Sequence, residues 1–214
     1  FSFRVAPSRS DVLMTETDRA QRYRSRMQRK KEVIDAAIAR ADRTQGLLVV
    51  HTGNGKGKSS AAFGMIARAL GHGLHVGVAQ FIKGRSDTGE EAFFRNQPQV
   101  TWHVLGEGYT WDTQNLERDI ATAQRGWAIA QAMLRDPAME LIVLDELTYP
   151  LKFGWLDLTM ILNDLKNRPA MQHVIVTGRG APEALCQLAD TITEMTDIKH
   201  AFRAGIQAQK GIDL

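Results

Sequence analysis

The sequence predicts an α/β fold in which a mostly parallel sheet is covered by helices on both faces. Three observations predict it. Short runs of branched aliphatic residues alternate with longer helix-forming stretches through most of the chain, the pattern of parallel strands joined by helical crossovers. One such run opens LLVVHTGNGKGKSS (residues 47–60), stops at a glycine-rich loop and leads into a helix-like stretch at 61–70. A second, Leu141-Ile142-Val143-Leu144, ends in Asp145-Glu146, which sets two carboxylates at the carboxyl edge of a buried strand. A strand, a glycine-rich turn ending in Lys-Ser and a helix make a phosphate-binding P-loop. The expected class is therefore the three-layer P-loop NTPase fold, RecA-like in its sheet.

The elements follow in order. Residues 1–13 lack a starting Met and show no periodic pattern, so they read as a tag, an upstream misread or a disordered extension, with Met14 as a natural start. Residues 14–45 form a basic N-terminal helix in which Arg19, Arg22, Arg24, Arg26, Arg29, Lys30 and Lys31 crowd the first half. Tyr23, Met27, Val33, Ile34, Ala37 and Ile38 give it only a partial apolar stripe. Such a helix could cover an anionic ligand, bind nucleic acid, or simply be solvated and frayed. Residues 46–214 form one P-loop α/β domain for nucleotide binding and catalysis. After the turn Gly71-His72-Gly73, residues 76–81 read as a second buried strand and 100–105 as a third, half-buried by its alternation. A long helix over 116–134 is stopped by Asp136-Pro137, and another over 158–167 by Arg168-Pro169. Residues 173–177 make a strand ending in Gly178-Arg179-Gly180. Pro182 opens a helix over 182–188, and 191–195 is a last short strand. Ligands of such sheets gather beyond the carboxyl ends of the strands, so Lys83, Asp145, Glu146 and Arg179 should face one cleft.

Composition bounds the possibilities. With 214 residues, 43% of them hydrophobic, the chain can build one sizeable core. No apolar run reaches the roughly 18 residues that span a bilayer, and no secretory pattern is present, so a cytoplasmic location is expected. The lone Cys186 excludes an internal disulfide framework. His51, His72, His75, His103, His173 and His200 have no zinc-site spacing and read as packing or capping residues. A net charge of only +3 and the lack of an aromatic-rich strand speak against nucleic acid as a partner.

The loop carries the chemistry. Gly53, Gly55 and Gly57 let the backbone curl so that successive N–H groups and a helix N-terminus converge on phosphate oxygens. Asn54, Lys56 and Ser60 belong to the same ATP-binding stretch, Lys58 adds a point charge, and the Ser59 hydroxyl is the group that holds Mg²⁺ in this motif. Asp145 and Glu146 are expected on the metal side, with Arg68 and Arg179 as further ATP ligands; Lys58 and Glu146 are the expected catalytic pair. Thr52 stands where the regular motif has its first glycine, so the loop is off-consensus. The competing readings are a surface hairpin turn for the loop and a helix N-cap with a first-turn partner for Asp145-Glu146. The strand–loop–helix context favours phosphate.

The run TGNGKGKSSAAFGMIARALGHG, followed by VGVAQFIKG, GYTWDTQN, LDELTY, VTGRG and KHAFRAGIQAQKGID, resembles the P-loop ATP:corrinoid adenosyltransferases of cobalamin biosynthesis and salvage, from about residue 22 to the C-terminus. The chain departs from the family's pattern at Ser59, commonly Thr; at Tyr109, commonly Phe; at Pro150; and at Leu214, commonly aromatic. The resemblance implies a transferase of the cob(I)yrinic acid a,c-diamide adenosyltransferase type. It would move the 5′-deoxyadenosyl group of ATP, bound in reverse of the usual P-loop orientation, to Co(I), giving adenosylcobalamin or adenosylcobinamide and intact triphosphate. The protein's tasks are then to hold C5′ in line with cobalt and to stabilise charge on the leaving group. It further implies that Tyr109 and Trp111, which alone would read as core residues, form an apolar wall beside the corrin and disfavour its lower axial ligand. The basic helix would cover the corrinoid, in a homodimer that of the neighbouring subunit. Electrons would come from an external reduced flavin or flavoprotein, because no flavin or iron–sulfur motif is present. The rivals are a P-loop ATPase gripping nucleic acid through the basic helix and a small-molecule kinase releasing ADP.

Overall fold

The computed structural model describes residues 15–82, 88–106 and 115–212, and the backbone divides into two units between Thr44 and Gln45. Among the described residues the first unit holds one helix, α1 (Glu16–Arg40). Its start is a capping box: the Asp18 N–H donates to Thr15 Oγ1 at 3.2 Å while the Asp18 carboxylate accepts from the Thr15 N–H at 3.3 Å. Glu16 and Asp18 sit at the positive end of the helix dipole and Arg40 at the negative end. Tyr23, Val33 and Ile38 stand exposed along it.

The second unit holds β1 (Leu48–Thr52), α2 (Lys58–Gly71), β2 (Val76–Gln80), α3 (Gly89–Phe94), β3 (Val100–Val104) and α4 (Leu116–Arg135). It continues with β4 (Leu141–Asp145), α5 (Thr148–Lys152), α6 (Leu158–Lys166), β5 (His173–Thr177), α7 (Glu183–Leu188) and β6 (Thr191–Glu194), then a 3₁₀ turn at Ala201–Ala204. The six strands form one sheet in the order β3-β2-β4-β5-β1-β6. Every pairing is parallel, so the expected mostly parallel sheet is wholly so among the described residues. No helix among them is long and apolar enough to cross a membrane.

Alternation along the strands makes the three layers. Leu48, Val50, Ile142, Leu144, Val174 and Val176 pack on one side with Trp127 and Leu134 of α4, Ile161 and Leu165 of α6 and Leu185 of α7. Val49, Val76, Val78, Val143 and Ile175 face the other way, against Ala62, Phe63 and Ile66 of α2, Phe94 of α3 and Trp102 of β3. Each fully buried Leu, Ile or Val contributes roughly 1.5–3 kcal/mol, so both helical layers are held by apolar contact. Polar groups close the ends. Asn115 accepts from the Arg118 N–H at 3.0 Å to start α4, and the buried Gln172 amide donates to the Asp136 and Met139 carbonyls at 3.2 and 2.9 Å just beyond its last turn.

Three elements lie outside the sequence-derived pattern: α3, α5 and the 3₁₀ turn. Each is too short for a helical period to register. In α5, Pro150 occupies the first turn, where its missing N–H has no intrahelical acceptor to lose.

Candidate active site

In the sheet order, β5 lies between β4 and β1, so the segments leaving these three strands are neighbours. They enclose a cleft of about 680 Å³ lined by residues from the loop after β1, by Glu146 and Tyr149 after β4, and by Thr177, Gly178 and Arg179 at the end of β5.

The loop is shaped from behind. Gly53 and Gly57 have φ of +95° and +103°, conformations that glycine adopts at no steric cost. A Cβ on Gly53 would lie 2.4 Å from the Met195 carbonyl oxygen, and one on Gly55 2.7 Å from that of Thr196. The Gly55 N–H donates to Met195 O at 2.6 Å, and the Met195 N–H donates to Thr52 O at 2.8 Å. Thr52 has a use that glycine could not fill, since its hydroxyl accepts from the Ala181 N–H at 3.2 Å and ties the loop to the segment after β5. Gly57 caps α2 with no side-chain bond. The first-turn N–H groups of that helix, where Ser59 and Ser60 line the cleft, are thereby left to an anion.

Lys58 lies at that helix start, half-buried, with Nζ donating to the Gly55 carbonyl. Burial lowers its pKa below the usual lysine range; Arg179 lowers it further, while Glu146 and Asp145 oppose. Two cations that disfavour each other in one cleft are a standing demand for negative charge. Arg179 is fixed through its main chain. The Thr148 hydroxyl donates to Arg179 O at 3.0 Å, and Gly178, at φ +140°, passes so close that a Cβ would sit 2.0 Å from Thr148 Oγ1.

The two carboxylates after β4 divide. Asp145 is fully buried, accepting from Thr177 Oγ1 at 2.7 Å and Gln80 Nε2 at 3.0 Å. Glu146 lines the cleft. Its φ of +59° makes it the one non-glycine residue in the left-handed region among the described residues, a conformation that costs of order 1–3 kcal/mol and persists where surroundings impose it. Neither residue caps a helix: the N-cap of α5 is Leu147, with no side-chain bond. Ser59 and Glu146 bring hard oxygen donors to one cleft, a set that suits Mg²⁺ supplemented by phosphate oxygens and water. Among the described residues no group of three or more His, Cys, Asp or Glu is placed to hold a metal by itself.

Of the expected ATP ligands, Gly55, Lys56, Gly57, Lys58, Ser59, Ser60 and Arg179 line this cleft. Gly53 and Asn54 make the bend before it. Arg68 belongs to the last turn of α2, about 15 Å from Lys58 at 1.5 Å per residue, and so does not share the phosphate cradle. Lys83, Tyr109 and Trp111 lie outside the described residues. Sequence reasoning missed Tyr149, Phe202 and Ile212, which give the cleft its apolar wall. Their signals were the LDELTY and KHAFRAGIQAQKGID runs, in which no residue other than the acidic pair stood out chemically. Burial raises the Tyr149 phenol's pKa, with Arg179 opposing and Glu146 adding, so it stays a neutral hydroxyl. Two histidines have the expected capping kind of role: His200 accepts from the Phe202 N–H at 3.2 Å, and His173 from the Leu47 N–H at 3.1 Å.

Comparison with known proteins fits this geometry. Residues 44–214 match the family described as ATP:corrinoid adenosyltransferase BtuR/CobO/CobP, and residues 14–38 match the family described as Cob(I)alamin adenosyltransferase N terminal. A corrinoid adenosyltransferase of Pseudomonas aeruginosa is 59% identical over 197 residues, covering 92% of this chain and 97% of that protein. One from Escherichia coli K12 is 47% identical, covering 90% of this chain and 98% of its own. The corrinoid adenosyltransferase CobA of Salmonella typhimurium is 46% identical with the same coverage.

Proposed function

The chain belongs to the ATP:corrinoid adenosyltransferase family, and we propose that it acts through the cleft formed by the Gly53–Ser59 loop, Glu146 and Arg179. It is a transferase that moves the 5′-deoxyadenosyl group of ATP to the Co(I) centre of a corrinoid. The electron pair of Co(I) forms the Co–C5′ bond, and the pair of the breaking C5′–O bond leaves with triphosphate. No water is activated and no proton is transferred. The work left to the protein is positioning and the stabilisation of charge on the leaving group.

One observation carries the assignment of residues: a helix N-terminus with no side-chain cap, Lys58, Arg179 and Glu146 share one cleft. Lys58 and Arg179 take the oxygen charge that grows as C5′–O lengthens. Burial of Lys58 and its repulsion by Arg179 favour the anion-bound state. Ser59 and Glu146 would hold Mg²⁺, which supplies further charge neutralisation, with Asp145 behind them. Tyr109 and Trp111 would stand beside the corrin, and α1 would cover it, in a homodimer that of the other subunit. A reduced flavin or flavoprotein supplies the electron that makes Co(I), and the reaction takes place in the cytoplasm.

The test is the phosphate product formed from ATP, Mg²⁺ and reduced corrinoid. Intact triphosphate in step with corrinoid adenosylation supports the assignment. ADP with or without phosphate, formed independently of corrinoid, identifies a hydrolase or kinase site instead.

A further inference from the structure

We propose that Thr177 and Gln80 are positioning residues for Glu146, acting through a buried hydrogen-bonded line that crosses four strands and fixes the backbone from which the Glu146 carboxylate enters the cleft. The inference rests on the reading of Glu146 as the carboxylate of the metal side.

The line begins in β3, at the edge of the sheet. Trp102 Nε1–H donates to Gln80 Oε1 at 3.0 Å, and Gln80 Nε2 donates to Asp145 Oδ2 at 3.0 Å. From β5, the Thr177 hydroxyl donates to Asp145 Oδ1 at 2.7 Å, and the Glu146 N–H donates to the same hydroxyl oxygen at 2.9 Å. Strand register makes this possible, because Gln80 lies opposite Asp145 in the β2–β4 pairing. Trp102, Gln80, Asp145 and Thr177 are all buried.

Asp145 accepts from both sides, while Gln80 and Thr177 each act as donor and acceptor at once, which removes the usual freedom of an amide flip or a hydroxyl rotor. Gln80 must turn its carbonyl to the indole and its NH₂ to the carboxylate. Thr177 has one proton, committed to Asp145, so a lone pair is left for the Glu146 N–H. Aliphatic side chains would fill these positions without the desolvation penalty that buried polar groups carry. The line ends at Glu146 with its positive φ, whose carbonyl is in turn held by the Tyr149 N–H at 3.2 Å. Both peptide groups of Glu146 are thus tied, which fixes the origin and direction of its side chain.

The experiment compares Thr177→Val, Thr177→Ser, Glu146→Gln and the double variant Thr177→Val/Glu146→Gln in the full chain. Mn²⁺ binding to the ATP-bound protein is titrated directly, the Glu146 amide is followed by hydrogen exchange without metal, and kcat and KM for ATP are measured. Thr177→Val is expected to speed exchange at Glu146 and to weaken Mn²⁺ binding about tenfold, the lower range for groups that orient a metal ligand, and to lower kcat more than it raises KM for ATP. Thr177→Ser keeps the hydroxyl and is expected to restore all three. The double variant should bind Mn²⁺ no more weakly than Glu146→Gln alone, because one effect acts through the other. Normal Mn²⁺ binding by Thr177→Val beside weakened binding by Glu146→Gln overturns the positioning role and leaves the reading of Glu146 intact. Normal binding by Glu146→Gln overturns both. Where Thr177→Val does not fold, Gln80→Met breaks the line two links from Glu146 at similar volume. It is expected to act in the same direction, and wild-type Mn²⁺ binding and exchange in that variant overturn the proposal.

Discussion

Replacing Lys58 by Ala removes one of the three cationic side chains, with Lys56 and Arg179, that line the cleft among the described residues. Groups aimed at an oxyanion in this way contribute about 3 to 4 kcal/mol each to transition-state stabilisation, a factor of roughly 10² to 10³ in rate at 1.36 kcal/mol per decade. The structure places this variant toward the lower end. Lys58 is only half-buried, and Arg179 and the α2 N-terminus remain after the change. The fold should survive, because the Lys58 ammonium is bonded to the Gly55 carbonyl of its own loop. The assay is corrinoid-dependent triphosphate release at saturating ATP, with circular dichroism as the check on folding. A pH series gives an independent reading. Burial, reinforced by Arg179, lowers the Lys58 pKa in the free protein, and only the protonated form attracts triphosphate. As pH rises through that lowered value, kcat/KM should fall before the usual lysine range is reached. Bound triphosphate favours the proton, so the corresponding limb of kcat should lie at higher pH. Lys58→Arg, which stays protonated, should lose the alkaline limb. Near-normal turnover by a folded Lys58→Ala would refute the cradle, and an alkaline limb unchanged in Lys58→Arg would assign that limb to another group.

Gly178→Ala should lower the melting temperature by several degrees: the new Cβ would collide with Thr148 Oγ1 at a backbone φ of +140°, and about 1–3 kcal/mol of strain corresponds to roughly 2–4 °C per kcal/mol in a chain of this size. Thr148→Ala in the same background should recover the steric part, and an unchanged melting curve for Gly178→Ala would show that the close contact is not maintained in solution. Deleting residues 15–40 should raise KM for corrinoid more than KM for ATP; strongly salt-dependent DNA binding lost with the same deletion would point to a nucleic-acid role for the helix. Tyr109→Ala and Trp111→Ala should leave Mg²⁺-ATP affinity unchanged and lose more activity from Co(II) corrinoid than from chemically prepared Co(I); equal losses from both would make the pair packing residues.

What the sequence revealed and what it withheld divide along a physical line. The P-loop is a local device, in which glycines, a lysine and a serine at fixed spacing state their own geometry. The aliphatic runs of β1, β4 and β5 likewise stated their burial, and their ends told where the cleft would form. The fate of Asp145 was not local. Whether it faces the cleft or the core depends on Gln80 and Thr177, which belong to different strands and meet it through sheet order and register. Neither is written in any one segment. The same holds for Phe202 and Ile212, which reach the cleft because the segment after β6 is bonded to the loop at Met195. Arg68, expected as an ATP ligand, lies in the last turn of α2, about 15 Å of helix from Lys58, a separation that only the extent of the helix sets.

Thr52 joins the off-consensus loop to its chemistry. A P-loop that hydrolyses ATP must do more than hold phosphates, because a water has to be placed in line and the cradle must respond as the γ-phosphoryl group moves. In adenosyl transfer the attacking atom belongs to the corrinoid and the bond that breaks is at C5′, so the whole triphosphate departs as one body. A cradle for that reaction can be stiff. Here the Gly55 N–H is committed to Met195 O and the Thr52 hydroxyl to the Ala181 N–H, so the loop is pinned from behind on both sides. A glycine at position 52 would forgo the second of these bonds and add backbone freedom, and freedom in a group that only has to stabilise developing charge would weaken its preorganisation. Stiffness in the loop and tension between Lys58 and Arg179 thus serve the same step, since both make the site most comfortable when a highly charged triphosphate has formed.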